Sequence, residues 1–163
     1  MKILLAKIWR ALHLPKGLQL LIMRLLQDQF LVGTTGIIFN DKNEVLLFKH
    51  RYRGHAWSLP GGYLKAGEHP SEGLEREIKE ESGLVVSIDR PMKTLTDRNV
   101  ARLDISYSGS FIGGQFAPSY EVSEYGFFSQ STLPLLRKNQ VFLIDEALKE
   151  RTSHWSYWTD VLY

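Results

Sequence analysis

The sequence has no cysteine, few prolines and no long apolar run, and each absence excludes a class of protein. Without cysteine there is no disulfide framework, thiolate metal site or cysteine nucleophile, so we expect a reducing compartment, the cytoplasm. Six prolines among 163 residues, with 44% hydrophobic and 23% charged residues, differ from the composition of disordered and collagen-like chains. The length indicates one main domain with its own core.

The net positive charge of the chain comes from the first thirty residues. That segment holds five lysines and arginines against one acid, Asp28, so the small positive net charge of the chain is not spread over the rest. A protein that neutralises phosphates along a nucleic acid needs basic residues across one face of its folded domain. The charge pattern therefore argues against a nucleic-acid polymer as partner.

Residues 1–29 predict an amphipathic helical extension, in which Pro15-Lys16-Gly17 separates two short helices. The longest uncharged run in this segment, Gly17 to Met23, is far shorter than the ~20 residues of a transmembrane helix. Lys7 and Arg10 interrupt the apolar region that a signal peptide requires. The extension could contact an anionic membrane peripherally, form a homodimer, or pack as a cap on its own domain.

Residues 30–163 predict a second unit with a mixed α/β pattern. Helices are expected over Pro70–Ser82 and about Asn139–Arg151. A hairpin is expected around the turn Asn40–Asn43. The predicted strands are Leu31–Phe39, Glu44–Lys49, Val85–Asp89, Lys93–Thr96, Ala101–Phe111 and Tyr120–Phe128. This pattern indicates a sheet covered by helices.

The predicted helix over Pro70–Ser82 has separate apolar and acidic faces. Leu74 and Ile78, four residues apart, define the buried stripe. A different face carries three glutamates at helical spacing: Glu77, Glu80 and Glu81. Such carboxylates repel one another unless a cation compensates them, and Mg²⁺ is commonly held by a few carboxylates together with substrate phosphates. A solvated face of ordinary glutamates is the alternative.

The wider spacing follows the motif G-x5-E-x7-R-E-U-x-E-E-x-G-U, in which U is a bulky aliphatic residue. All nine specified positions are present: Gly62, Glu68, Arg76, Glu77, Ile78, Glu80, Glu81, Gly83 and Leu84. The segment therefore resembles the Nudix box, and the preceding Leu59-Pro60-Gly61 is similar to the usual entry to that box. The resemblance implies an α/β/α sandwich with a mixed sheet, in which the box forms a loop, a helix and a loop.

The resemblance also implies a reaction. Nudix enzymes hydrolyse a nucleoside diphosphate linked to a group X, which implies Mg²⁺-dependent cleavage to a nucleoside monophosphate and phosphoryl-X, with Mn²⁺ as a substitute. Two basic helices before such a domain are similar to the layout of bacterial members that act on nucleotide sugars such as UDP-linked compounds. The alternative is a Nudix-fold sensor or membrane-associated regulator that binds a nucleotide without turnover.

Site residues follow from the positions of the motif. Arg76 is expected to orient the glutamates through charge-assisted hydrogen bonds, and Glu68 to pair with Arg76 or contact metal. Glu77 and Glu80 are counted among the catalytic groups as well as the metal ligands. The expected metal ligands are one carbonyl and three carboxylates: Gly61, Glu77, Glu80 and Glu81.

The general base differs among Nudix enzymes, being either a glutamate of the box or one from a distant loop. Glu121 and Glu124 are the loop candidates in this chain, and Glu121 is favoured.

Substrate-binding residues are expected beside the box. Tyr52 is suited to stacking on a base, and Arg51 and Arg53 to holding a phosphate. Arg98, in a later turn, is placed to reach the distal phosphate or the X group. Trp57 is expected to be a core aromatic residue rather than a ligand contact.

Overall fold

The computed structural model describes residues 14–52, 56–97 and 99–159, with residues 153–159 described by their backbone alone. The chain divides into two compact units, Met1–Phe30 and Leu31–Tyr163. The described helices are α1 (Lys16–Leu26), α2 (Pro70–Ser82) and α3 (Lys138–Thr159), with a 3₁₀ turn at Gln130–Thr132. The described strands are β1 (Leu31–Phe39), β2 (Val45–His50), β3 (Trp57–Ser58), β4 (Gly61–Tyr63), β5 (Leu84–Asp97), β6 (Arg102–Gly114) and β7 (Val122–Phe128).

Helix α1 belongs to the first unit and buries none of its side chains. It begins after Pro15, as the predicted break requires, and its apolar residues Leu21, Leu25 and Leu26 are exposed. The predicted helix before this break lies outside the described residues. No helix in the described part of the chain is long and apolar enough to cross a membrane.

The second unit is built on a mixed seven-stranded sheet in which β1 is central. The strand order is β3-β2-β1-β6-β5, with β4 paired to β1 and β7 paired to β2. Strands β1 and β6 run parallel, whereas the other pairs are antiparallel. The predicted hairpin turn forms, but β1 and β2 pair only at Phe39 and Val45. Beyond that point β4 pairs with β1 and β7 pairs with β2, so the hairpin cannot extend.

Helices cover both faces of this sheet, because successive strand residues point to opposite sides. Ile37 and Leu47 belong to one core cluster, together with Ile144 of α3. Ile38 and Leu46 belong to a second cluster on the other face, together with Leu74 of α2. The unit is therefore an α/β/α sandwich, as the resemblance implies.

Helix α2 has the predicted bounds, and side chains fix both of its ends. The His69 ring accepts a hydrogen bond from Ser71 N, while the Glu72 carboxylate accepts one from His69 N. At the other end Gly83 adopts a left-handed conformation with φ of 74°, which a residue with Cβ reaches only with strain. These caps set where the helix begins and ends, while Leu74 and Ile78 are the residues that it buries in the core.

Two short strands and one long strand differ from the predictions. β3 and β4 have two and three residues, too few for an alternating hydrophobic pattern to reveal. The two strands predicted around Pro91 form one strand, β5, because bulges absorb the irregular positions between Val85 and Lys93. Pro91 is tolerated there because β5 is an edge strand.

We expect Leu74→Ala to lower the free energy of unfolding by about 2–5 kcal/mol, because it leaves a cavity between α2 and the sheet. Leu74 is fully buried, whereas Leu135 is 81% exposed, so Leu135→Ala is the matched control. Urea unfolding of both variants measures the difference. Equal destabilisation of the two variants would contradict the packing described.

Candidate active site

The acidic face of α2 meets the short strand β4 at Gly62. A Cβ atom placed on Gly62 would lie 2.5 Å from Cδ of Glu77, so a larger residue would displace that carboxylate. β4 is held in place by β1, since Gly62 pairs with Thr34 in antiparallel register. The backbone of the motif's first residue therefore lies directly against one of its glutamates.

The guanidinium of Arg76 connects three carboxylates of the motif. Its Nε donates to Oε1 of Glu68 at 2.5 Å, and its Nη2 donates to Oε2 of Glu68 at 3.0 Å. Its Nη1 donates to Glu77 at 2.7 Å and to Glu80 at 3.0 Å. Nη2 also donates to the carbonyl of Tyr63 at 3.3 Å, which joins the network to β4. We call Arg76, Glu68, Glu77 and Glu80 the arginine–glutamate cluster.

Lys65, in the loop before α2, contacts two carboxylates of this cluster. Its backbone N–H donates to Glu68 at 2.9 Å, and its ammonium lies 3.3 Å from Oε1 of Glu80. The Lys65 ion pair is more exposed than the contacts of Arg76, Glu68 and Glu77, whose side chains are about one-fifth exposed. Salt bridges in such partly shielded positions are stronger than those at the open surface.

These contacts change the acidity of the carboxyl groups. Hydrogen bonds from Arg76, followed by that from Lys65 N, lower the pKa of Glu68 from 4.5 to about 2. Partial burial opposes ionisation of Glu80, but hydrogen bonds from Arg76 and Lys65 outweigh it and lower its pKa. The hydrogen bond with Glu68 is the largest cause of the raised pKa of Arg76. Glu68, Glu80 and Arg76 are therefore charged at neutral pH.

The chemistry of the donor set fits a hard divalent cation. Glu77 and Glu80 offer carboxylate oxygens beside the backbone of Gly62, and oxygen donors are the ligands that Mg²⁺ prefers. Within the described ranges, no three acidic or histidine side chains are already gathered around one metal position. In this arrangement Arg76 and Lys65 bind the carboxylates instead, so a cation would share them with these bases.

The loop candidates lie at the end of the sheet where β2 finishes and β7 begins. His50 pairs with Val122, and Arg51 N donates to the carbonyl of Glu121 at 3.1 Å. The Glu121 residue is exposed, whereas Glu124 forms an ion pair with Lys49 at 2.9 Å. The structure thus brings Arg51 and Glu121 together, and it gives Glu124 a partner on the neighbouring strand.

The structure describes only some of the other residues that were considered as substrate contacts. Arg53 and Arg98 lie outside the described residues. Trp57 packs edge-on against Phe128, with ring centroids 5.0 Å apart, as expected of a core aromatic residue. Tyr52 is exposed and stacks on Tyr120 with ring centroids 5.3 Å apart. The contact of Tyr120 with Tyr52 was not predicted, because the two residues are far apart in sequence and meet only in the folded structure.

A second unpredicted group lies on the other side of β4. Tyr63 hydrogen-bonds Arg102, and Arg102 Nε donates to Asp104 at 2.8 Å. These hydrogen bonds raise the pKa of Arg102, that with Tyr63 being the larger cause. Tyr63 and Asp104 both pair with Gly33 of β1, and the Asp104 carboxylate occupies the space that a Gly33 side chain would need, since a Cβ there would lie 2.6 Å from Oδ1 of Asp104. No sequence spacing indicates this grouping, because the three residues meet only through strand register.

The described residues also line a large cavity that is separate from the candidate active site. This cavity has a volume of about 860 Å³ and lies between the end of β1 and helix α3. Its lining includes Phe39, Ser108 and Arg151 and none of the residues of the motif.

Comparisons with known proteins identify the family. A family model described as the NUDIX domain matches residues 29–140. The chain is 30% identical to an ADP-ribose pyrophosphatase of Methanocaldococcus jannaschii over 125 residues, which cover 72% of this chain and 73% of that relative. It spans about half or less of the length of three further curated relatives.

Solved structures agree on the fold. An ADP-ribose pyrophosphatase from Streptococcus suis matches with a TM-score of 0.63 and 28% identity, covering 73% of this chain and 92% of that one. A UDP-X diphosphatase matches with a TM-score of 0.67 over 85% of this chain and 73% of that one, although its 21% identity shows the fold alone. The chain belongs to the Nudix family and is a hydrolase.

The lowered pKa of Glu68 predicts a pH dependence of stability. Because Glu68 ionises more readily in the folded state, its pairing with Arg76 stabilises the fold above about pH 4.5, and this contribution is lost as the pH falls towards 2. We expect wild type to be more stable than Glu68→Gln at pH 6, with the difference shrinking between pH 4.5 and 2. Urea unfolding in the presence of a chelator measures it, with Glu121→Gln as control. A difference that does not change with pH would contradict this contribution.

Proposed function

We propose that the protein hydrolyses the pyrophosphate bond of a nucleoside diphosphate linked to a second group, yielding a nucleoside monophosphate and a phosphorylated second group. The observation that carries this proposal is the arginine–glutamate cluster set against Gly62, which gathers ionised carboxylates on one surface. Such a surface repels a pyrophosphate unless cations lie between the two. Activity should therefore require a divalent metal.

Mg²⁺, or Mn²⁺ in its place, would be held by Glu77, Glu80, Glu81 and the Gly61 carbonyl. Bound there, the metal would neutralise phosphate charge and acidify a water molecule. Glu81 is partly buried near the end of α2, one turn after Glu77. Family membership supports this set, and the contact of Gly62 with Glu77 supports the nearness of the β4 backbone to the carboxylates.

Arg76 and Glu68 act as positioning residues in this proposal. Arg76 contacts the proposed ligands Glu77 and Glu80 directly, and Glu68 holds Arg76 by two hydrogen bonds. Fixing the guanidinium limits the rotamers of both ligands, so less conformational entropy is lost when a cation binds.

Glu121 is the proposed general base, which accepts a proton from the attacking water. Its exposure leaves the carboxylate accessible to solvent, and the hydrogen bond from Arg51 N to its carbonyl fixes its loop. Glu124 is a poorer candidate because the ammonium of Lys49 already binds its carboxylate.

The proposed substrate class is a nucleotide sugar. The relative from Methanocaldococcus jannaschii and the structure from Streptococcus suis are both named ADP-ribose pyrophosphatases. The fold match to a UDP-X diphosphatase makes UDP-linked sugars the second set to test. A cytoplasmic location, expected from the lack of cysteine, stays a prediction.

We expect Glu77→Gln to reduce kcat at saturating Mg²⁺ by at least about 100-fold, because it removes a charged metal ligand. Glu75→Gln is the matched control, since Glu75 lies on the same helix and instead accepts a hydrogen bond from Ile88 N. Assays on ADP-ribose, UDP-sugars and nucleoside triphosphates, with products identified by mass, measure the effect. Absence of turnover by wild type would favour a sensor that binds a nucleotide without cleaving it.

We also propose that residues 1–29 form an extension separate from a catalytic domain of residues 30–163. The exposed leucines of α1, accompanied by Lys16 and Arg24, suit contact with an anionic membrane or with a second copy of the chain. Either contact would remove apolar surface from water.

The double variant Leu21→Glu/Leu25→Glu should abolish this contact while leaving activity unchanged. Flotation with phosphatidylglycerol vesicles tests the membrane, and light scattering tests the dimer. Leu135→Glu, which changes an exposed leucine of the other unit, is the control. If the wild-type protein is a monomer and does not float with the vesicles, both proposed contacts are wrong.

A further inference from the structure

Tyr52 and Tyr120 form an aromatic pair that is open to solvent. Their ring centroids are 5.3 Å apart, with planes inclined by 34°, and a hydrogen bond joins their side chains. The two residues are 70% and 78% exposed. The pair is therefore held together while most of its ring surface remains in water.

The other aromatic pairs in the described part of the chain are more sheltered. Phe111 stacks against Phe127, and both pack against the core beneath α2. Phe128 contacts Trp57 beside the core beneath α3. The core explains these pairs, but it does not explain why two exposed tyrosines from separate loops should meet.

The tyrosine pair lies at the end of the sheet that carries the catalytic motif. β2 starts beside the end of β1, at Val45 and Phe39, and runs back towards the start of β1. Tyr52 follows the end of β2, at the end of the sheet where β4 pairs with Gly33 to Thr35 of β1. Tyr120 precedes Val122, which packs in the same core cluster as Leu74 of α2.

A cation and an acid accompany the pair. The charge of Arg51 acts on the Tyr52 hydroxyl, although the hydrogen bond with Tyr120 has the larger effect and raises the pKa of Tyr52. Arg51 N also binds the carbonyl of Glu121, the residue after Tyr120. Stacking surface, positive charge and the proposed general base are thus within one short pair of loops.

We propose that the Tyr52–Tyr120 pair is the platform on which the nucleobase of the substrate stacks, with Tyr120 as a specificity-determining residue. A flat aromatic surface beside an arginine matches a planar base attached to a phosphate chain. A sugar in the X position lacks such a planar face, so the pair favours the nucleoside half. This inference rests on the proposed function.

Binding of reaction products separates the two halves of the substrate without requiring turnover. Calorimetry on the full chain with Mg²⁺ measures adenosine and uridine monophosphates against ribose 5-phosphate. Tyr120→Ala should weaken nucleoside monophosphate binding by about 5- to 150-fold, the range for one stacked base, and leave ribose 5-phosphate unchanged. Tyr120→Phe retains the ring and should bind nearly as wild type, which separates stacking from loss of the hydroxyl. With a cleaved nucleotide sugar, Tyr120→Ala should raise KM more than it lowers kcat.

Three results would overturn the platform: unchanged monophosphate binding in Tyr120→Ala, weakening confined to ribose 5-phosphate, or no monophosphate binding by wild type at millimolar concentration. Circular dichroism confirms that each variant is folded, and Tyr52→Ala gives a second variant from the other loop. If monophosphates bind through Tyr120 but no substrate is cleaved, the proposed function fails and the platform stands. If a nucleotide sugar is cleaved but Tyr120→Ala has no effect on binding or KM, the platform fails and the proposed function stands.

Discussion

The charge balance around Arg76 is the constraint on which the site depends. Carboxylates on neighbouring helical turns repel one another, yet Glu77 and Glu80 are held together because one guanidinium binds both. Glu68 binds the opposite edge of that guanidinium in two places, so Arg76 has little freedom to leave. The arginine–glutamate cluster therefore forms without a cation, and a bound cation would share Glu77 and Glu80 with Arg76 and Lys65.

The position of this cluster follows from packing. Leu74 and Ile78 anchor α2 in the core, which turns the acidic face towards β4 and the loop before the helix. The pairing of β4 with β1 then places Gly62 against Glu77, where a Cβ would displace the carboxylate. The sheet therefore fixes the site, whereas Tyr52 and Tyr120 lie in the loops next to β2 and β7.

The predictions from sequence were most accurate where residues close together in the chain determine the local structure. The caps and the apolar stripe of Pro70–Ser82 gave the helix its bounds, and the motif spacing revealed the cluster. Strands β3 and β4 were not predicted, because two or three residues show no period. The pairing of Tyr52 with Tyr120, like the grouping of Tyr63 with Arg102, depends on strand register and loop position between residues far apart in sequence, which no spacing along the chain records.

The central claim is that the carboxylates gathered by Arg76 bind a divalent cation together with a diphosphate. It is tested most directly by NMR of protein labelled with ¹³C at glutamate carboxyl groups, titrated with Mg²⁺ in the presence of a non-hydrolysable nucleoside diphosphate analogue. The account predicts saturable shifts of the Glu77, Glu80 and Glu81 resonances, with Glu75 unaffected. Carboxyl resonances that stay unchanged throughout the titration would contradict it.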